Sequence, residues 1–469
     1  MGSPIVQLKP RLQPFEAAVD SYRQGLPLQC LDRLHGHNEL PAVFLRARAS
    51  LRAGCPNVGL DCLAQIDDGL LWSNRERAEV FTLRAALQTR LSDFDTARQT
   101  LDNGRVLALG SASASLEAEF HYYDALWSLG TDNFDEADKL ARIALEVAPG
   151  FYDSDSYFVP LANSRARALQ MRGLVAAAKE RYEEQADFFR DAIEELKSAS
   201  TADIWLTASS LTNLAFHVRD FDLVDDAAML RREIERAKWP DELAPMKFEI
   251  RRALGWSSAL RGDHLNAFRE FRAMAQCADT PARKILASVD RSYLARELGE
   301  THSAQEELEY AAKLASSVEW KKVGQERIGL AQLAQEVAAF DPHHAGILFA
   351  RYKEVTGRRL APNMLNNVDR RVQAFELLAE GTVLRANGSV PAAMQRFMRA
   401  YDIWDKLGYK WRAATAALPL AEVLQEPRYV EHVKREAGSR PNSWLARRAE
   451  NLTCSNEPKY ETDVRLRCL

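Results

Sequence analysis

Cysteine, histidine and clustered carboxylates are the side chains that most often carry chemistry, and in this sequence they are dispersed. Cys55 and Cys62 are seven apart with no histidine pair near them at metal-ligand spacing. His35 and His37 fall in a loop-like stretch, and His343 and His344 fall at a helix start, where solvation is the usual fate. Asp153 and Asp155 lack the further oxygen ligands of a calcium loop. No phosphate-cradling glycine motif, HExxH or GxSxG is present. No catalytic residue, no metal site and no cofactor is therefore expected. Arginine is the exception to this sparseness. Basic pairs recur at Arg231-Arg232, Arg251-Arg252, Lys321-Lys322, Arg358-Arg359 and Arg370-Arg371. A guanidinium binds carboxylates or phosphates through paired hydrogen bonds, so the chemistry on offer is recognition of anions.

The elements that must position these arginines are helices. The chain has 469 residues, 46% hydrophobic and 27% charged, with only 22 Gly and 18 Pro. That length exceeds what one compact core supports, so several domains or a repeat array is expected. A formal net charge of -4 argues against a general nucleic-acid or membrane binder. No apolar run of signal-peptide length follows the N-terminal charges, and no window approaches a membrane span. Cys30, Cys55, Cys62, Cys277, Cys454 and Cys468 are too scattered for a disulfide framework, which makes a reducing cytoplasm the expected setting.

One phrase repeats along the chain: a small polar or Gly-Asp turn, an apolar residue, then a helix opening near an alanine. Its copies are SDFDTA to Ala97, TDNFDEA to Ala137, RYEEQA to Ala186, RDFDLV to Val224 and GDHLNA to Ala267. They continue as GETHSA to Ala304, FDPHHA to Ala345 and GSVPAA to Ala393. Successive copies lie 40, 49, 38, 43, 37, 41 and 48 residues apart. Ala137, Leu140, Ala141, Ala144 and Val147 fall on one helix face, and EFHYYDALWSL before the turn carries a second stripe. Fainter copies run through Gly25–Cys30 and Gly54–Gly59.

The best copies carry a packing pattern. Gly381 lies 12 before Ala393, and Phe397 and Ala400 lie 4 and 7 after it; Gly255, Ala267 and Phe271 repeat this, with Met274 in the last place. Ala85 and Ala125 are the small residues 12 before Ala97 and Ala137. This resembles the tetratricopeptide repeat (TPR) over roughly residues 75 to 425. The resemblance implies an all-α, right-handed α-solenoid of antiparallel helical hairpins, a TPR-like superhelix. It also implies that first helices line a concave groove that binds a protein or peptide. In that register Arg90, Arg252, Arg296 and Arg385 fall near groove-facing positions, which suits an acidic partner. A stretched interval holds PGFYDSDSYFVP, whose Phe151, Tyr152, Tyr157 and Phe158 are candidate anchors for that partner.

Four segments are expected: degenerate repeats over 1–74, the main array over 75–355, further repeats over 356–425, and capping helices with a tail over 426–469. Pro362, Asn363, Asn366 and Asn367 break the helical pattern and suggest a hinge; Pro419 should kink or split its helix. The phrase LGYKWRAATAALPLAEVL is similar to the closing hairpins of helical-repeat regions in LuxR-type bacterial regulators. That similarity implies an alternative role as a ligand- or partner-sensing regulatory module. No recognition helix is evident here, so direct DNA binding is not expected. The oligomeric state is not legible.

Overall fold

The computed structural model describes residues 13–66, 73–149, 163–198, 203–221, 223–236, 239–323, 325–356 and 366–454. Among these residues every regular element is helical. The chain divides into two compact units, Met1–Leu214 with Lys238–Leu243, and Ala215–Ala237 with Ala244–Leu469.

Unit 1 is built from five hairpins. α1 (Gln13–Arg23) pairs with α2 (Pro27–Arg33), α3 (Leu40–Arg52) with α4 (Pro56–Ala64), and α5 (Asn74–Arg90) with α6 (Phe94–Leu109). α7 (Ala114–Gly130) pairs with α8 (Phe134–Val147), and α9 (Ser164–Ala178) with α10 (Tyr182–Ser198). Each first helix touches the next, α1 to α3 through to α9, and α2, α4, α6 and α8 each pack on the first helix that follows.

α11 (Ile204–Phe221) passes the division point and α12 (Val224–Arg236) follows it. Unit 2 then repeats the plan. α13 (Ala244–Leu260) pairs with α14 (His264–Gln276), α15 (Pro281–Glu297) with α16 (Thr301–Ser317), and α17 (Ile328–Val337) with α18 (Pro342–Thr356). α19 (Asn366–Ala386) pairs with α20 (Val390–Lys406) and α21 (Lys410–Leu424) with α22 (Pro427–Gly438), before the short α23 (Trp444–Ala449). Each unit is thus an all-α, TPR-like solenoid, in which a hairpin buries its apolar faces against its neighbours.

The recurring phrase is a Schellman turn followed by an N-cap. At the end of α5 the Asp93 N–H reaches back to the Gln88 carbonyl (3.0 Å) while Ser92 takes φ 61°. The same closure recurs from Asn133 to Ser128 (2.9 Å), Asp263 to Ser258 (3.0 Å) and Ser389 to Leu384 (2.9 Å). The left-handed residue is Asp132, Gly262 and Gly388 in those turns. The motif satisfies the last carbonyls of the first helix and turns the chain sharply. Asp93, Asn133 and Asp263 then cap the second helix, accepting from Thr96, Glu136 and Asn266 N–H groups.

Five residues past the left-handed position lies the small residue that the phrase marks. Ala97, Ala137, Ala267, Ala304 and Ala393 are completely buried there, as is Cys30 in the first hairpin. Two copies need a shift of register. In the α9–α10 hairpin Glu180 is the left-handed residue, so Gln185, not Ala186, occupies the packing position. In α12, Val224 is 55% exposed and the small buried residue is Ala227, because the turn there is followed by the helix start itself. Size complementarity explains the Gly-Phe pairs. A Cβ placed on Gly255 would come within 2.4 Å of the Phe271 ring, and on Gly381 within 2.7 Å of Phe397. Gly173 and Phe189 repeat the arrangement in unit 1 at 2.8 Å. Where the first helix carries Ala85, the second presents the smaller Leu101. Met274, in a place the repeat reserves for a small residue, is nonetheless fully buried; its unbranched thioether chain adapts to an irregular space.

Pro419 does not split its helix. α21 runs unbroken from Lys410 to Leu424 with Pro419 inside it. Ala413, Ala414, Ala417, Leu420 and Ala421 are buried, and packing on α20 and α22 outweighs the one lost backbone donor. The C-terminal segment does more than close an end. Leu445 is fully buried, Trp444 packs with the core of α13–α15, and it meets Trp411 edge-on at 6.4 Å. The Asn442 carbonyl lies 2.2 Å from where a Gly262 Cβ would stand, so only glycine fits that turn, by space as well as by φ.

Candidate functional site

Within each unit the first helices run the same way, so their last turns fall along one rim. Several of those last turns carry arginine: Arg23, Arg52, Arg90, Arg296 and Arg385. A cation there faces the negative end of the helix dipole. Whether such a guanidinium is free for a partner depends on the carboxylates that the neighbouring hairpin presents.

In unit 1 several first-helix charges pair with one another. Arg48 of α3 makes a two-pronged pair with Glu119 of α7, at 2.7 and 2.6 Å. Arg167 of α9 donates to the same carboxylate at 2.8 Å and to the Tyr123 hydroxyl at 2.8 Å. Burial alone would raise the Glu119 carboxyl, but the Arg48 and Arg167 guanidiniums bring it down to about 2. Arg52 pairs with Asp203 at 3.2 and 2.6 Å and lies 3.9 Å from the Tyr22 ring centroid. Glu79 of α5 is buried with neither carboxylate oxygen hydrogen-bonded; burial, against the pull of Arg48, pushes its carboxyl up to about 7. Burial also drives the Cys30 thiol up to about 12, so that cysteine acts in packing.

Unit 2 carries a pocket. A cavity of about 480 Å³ lies at the ends of α15, α17 and α19, beside α23. Arg296, Gln335, Glu336, Thr382, Arg385 and Arg448 line it, with Ala338, Ala339 and Ala386 as its apolar wall. Arg296 donates to Glu336 at 2.9 Å. Burial raises the Glu336 carboxyl, opposed by that same arginine. Arg385 directs both terminal nitrogens at one oxygen of Glu422, 3.1 Å each, and Arg448 donates to the other oxygen. The Thr382 hydroxyl is spent on the Leu378 carbonyl at 2.9 Å, so it faces no base. The lining carries three guanidiniums and one carboxyl, and each guanidinium is paired, Arg296 with Glu336 and the other two with Glu422.

The four arginines expected from the repeat therefore separate. Arg296 and Arg385 meet in the pocket. Arg90 is exposed at the end of α5 in unit 1. Arg252 is only 6% exposed: mid-helix in α13, it clamps Asp290 at 2.6 and 3.2 Å and donates to Gln332 at 2.9 Å, so it is closed to a partner. Phe151, Tyr152, Tyr157 and Phe158 lie outside the described residues, as do Pro362 and Asn363 of the suggested hinge. Sequence reasoning missed Arg448, Glu336 and the Arg48–Glu119–Arg167 network. For Arg448 no local signal exists, since it arrives by the return of α23. Among the described residues no group of three or more His, Cys, Asp or Glu could hold a metal ion. Among them, too, no helix is long and apolar enough to cross a membrane.

No protein-family model matches the chain, and no curated protein does. Solved structures similar to it include the apo form of the quorum sensor NprR from B. thuringiensis. That match has 9% identity over 84% of this chain and 99% of that one, with a TM-score of 0.48. The apo form of RapI is similar at 11% identity, over 88% of this chain and 99% of that one, with a TM-score of 0.45. A Rap protein complexed with Competence and Sporulation Factor is similar at 12% identity, over 88% and 97%, with a TM-score of 0.44.

Proposed function

We propose that this chain is a TPR-like scaffold or adaptor, and that the pocket of unit 2 binds an acidic segment of a protein or peptide partner. The observation that carries this reading is the convergence of Arg296, Arg385 and Arg448 on one open cavity. A volume of about 480 Å³ is in the range of specific ligand sites and admits a few side chains of an extended segment. The alanine wall would take the partner's aliphatic portions, and guanidiniums would fix its carboxylates through charge-assisted hydrogen bonds. Catalysis is not supported by this lining, because no nucleophile stands beside a base in it.

The test is fluorescence polarisation with a fluorescein-labelled peptide of alternating Glu and Ala. The wild-type chain should bind it. Arg385→Ala with Arg448→Ala should weaken binding at least about tenfold, an order of magnitude typical for losing charge-assisted contacts. Arg272→Ala with Arg399→Ala, exposed arginines on the second helices α14 and α20, should leave it unchanged. Equal losses from the two pairs would mean diffuse charge attraction and would remove the pocket from the account.

A further inference from the structure

Glu422 occupies the place that an incoming acid would take. It stands on α21 and is not part of the pocket wall, yet its carboxylate bridges Arg385 of α19 and Arg448 of α23. One oxygen receives both terminal nitrogens of Arg385 and the other receives Arg448. Its side chain is 19% exposed, whereas the two arginines are 40% and 57% exposed and line the cavity. The arginines therefore have a solvent-facing side and a less exposed acceptor behind them. A second tether holds the same segment, since Arg447 donates to Glu297 at 2.8 Å.

We infer that Glu422 is a resident surrogate for the ligand: the group recognised by the pocket is a carboxylate, and it binds by replacing the Glu422 carboxylate between Arg385 and Arg448. This inference rests on the acidic-segment reading above and adds the group recognised and the internal competitor that sets its affinity. A planar carboxylate is favoured by the geometry because the resident group is itself one, with an oxygen presented to each arginine. The competitor makes binding selective. A single weak acid gains little by exchanging with an equivalent partner, whereas a segment with neighbouring carboxylates and apolar contacts gains enough to displace it. Arg296 remains tied to Glu336 and gives the second point of attachment.

The experiment compares the full-length wild type with Glu422→Gln, which keeps the shape of the side chain and removes its charge. The probes are the labelled Glu-Ala peptide, its Gln-Ala counterpart and a phosphoserine-Ala counterpart. Glu422→Gln should bind the Glu-Ala peptide about tenfold more tightly than wild type, with the Gln-Ala peptide bound by neither. Glu422→Asp, whose shorter arm cannot bridge both arginines, should lie between them, and it carries the test if the Gln variant loses its helical circular dichroism. Equal or weaker binding by the variants, with wild-type binding intact, would overturn the surrogate role and leave the acidic-segment reading standing. Absence of binding by wild type and variants alike would overturn both. Tighter binding of the phosphoserine peptide than of the Glu peptide to Glu422→Gln would overturn the carboxylate assignment.

Discussion

The two units place arginine on the same kind of helix in contrasting surroundings. In unit 1, Arg48 and Arg167 sit mid-helix or earlier, are buried or nearly so, and share Glu119 as a common acceptor. In unit 2, Arg296 and Arg385 sit in last turns, are 34% and 40% exposed, and border a cavity. The difference is exposure. A buried guanidinium in the body of a first helix must find a carboxylate on another first helix, as Arg48 of α3 and Arg167 of α9 both find Glu119 of α7. Arg296 and Arg385, in last turns, keep part of their surface open, where water or a ligand can share their hydrogens. Arg252 obeys the same rule inside unit 2, since its mid-helix position delivers it to Asp290. Exposure separates the two sets better than position, since Arg52 also sits in a last turn yet is only 12% exposed and clamps Asp203.

The strongest way to break this comparison is to remove the shared acceptor of unit 1. Glu119→Ala would leave Arg48 and Arg167 as buried, unpaired cations, a situation that costs about 3–5 kcal/mol. Thermal unfolding should show the transition of unit 1 shifted far down. A shift within the error of the measurement would mean that water enters the interface freely and that the network is not sealed. Acid should mimic the change. The Glu119 carboxyl is brought from an ordinary 4.5 down to about 2 in the folded chain, so its contribution is present above the ordinary value and lost as pH falls toward 2.

Glu79 sharpens the same comparison with the opposite sign. Its carboxyl is raised from 4.5 to about 7 by burial; Arg48 and Arg75 oppose that rise, while Glu119 and Glu76 add to it. A raised folded value means that the neutral acid is the form that unit 1 tolerates. Below pH 4.5 the residue is neutral in both folded and unfolded chains and costs nothing. Above that, the unfolded chain ionises first, and the penalty grows until about pH 7, reaching on the order of 1–3 kcal/mol. Glu79→Gln should match wild type near pH 4.5 and exceed its stability increasingly toward pH 8, read from urea midpoints at each pH. A stability difference that stays flat across this range would show that Glu79 ionises into a pair with Arg48.

How much of this was legible in the sequence follows from what is local. The turn phrase is a Schellman closure with an N-cap, both set by five or six consecutive residues, so Ala97, Ala137, Ala267 and Ala393 could be placed without coordinates. The two misplaced copies, at Ala186 and Val224, arise where Glu180 replaces the usual Gly, Ser or Asp at the left-handed position, and where the turn runs straight into α12. Pairings between hairpins are not local. Arg48 and Glu119 are 71 residues apart and Arg252 and Gln332 are 80 apart. No single-sequence pattern reports such a distance. Arg252 therefore looked like a groove residue because its helix was right and its depth could not be read. Arg448 was not legible, since it arrives by the return of α23, where Asn442 fills the space beside Gly262.

The smallest expected effect is the one that separates the two arginine classes most cleanly. Arg448→Ala removes a charge that is 57% exposed and paired with a partly exposed carboxylate. Exposed pairs contribute little, because water solvates both ions and long side chains lose freedom in pairing. The variant should unfold within about 0.5 kcal/mol of wild type, while Arg385 retains Glu422 as its acceptor and the α23 backbone stays docked through Leu445 and Trp444. The pocket would lose one of its three cations without losing its walls. A destabilisation as large as that expected for Glu119→Ala would place Arg448 among the fold-holding arginines, and the distinction between buried and exposed arginines would fail at the site where it matters most.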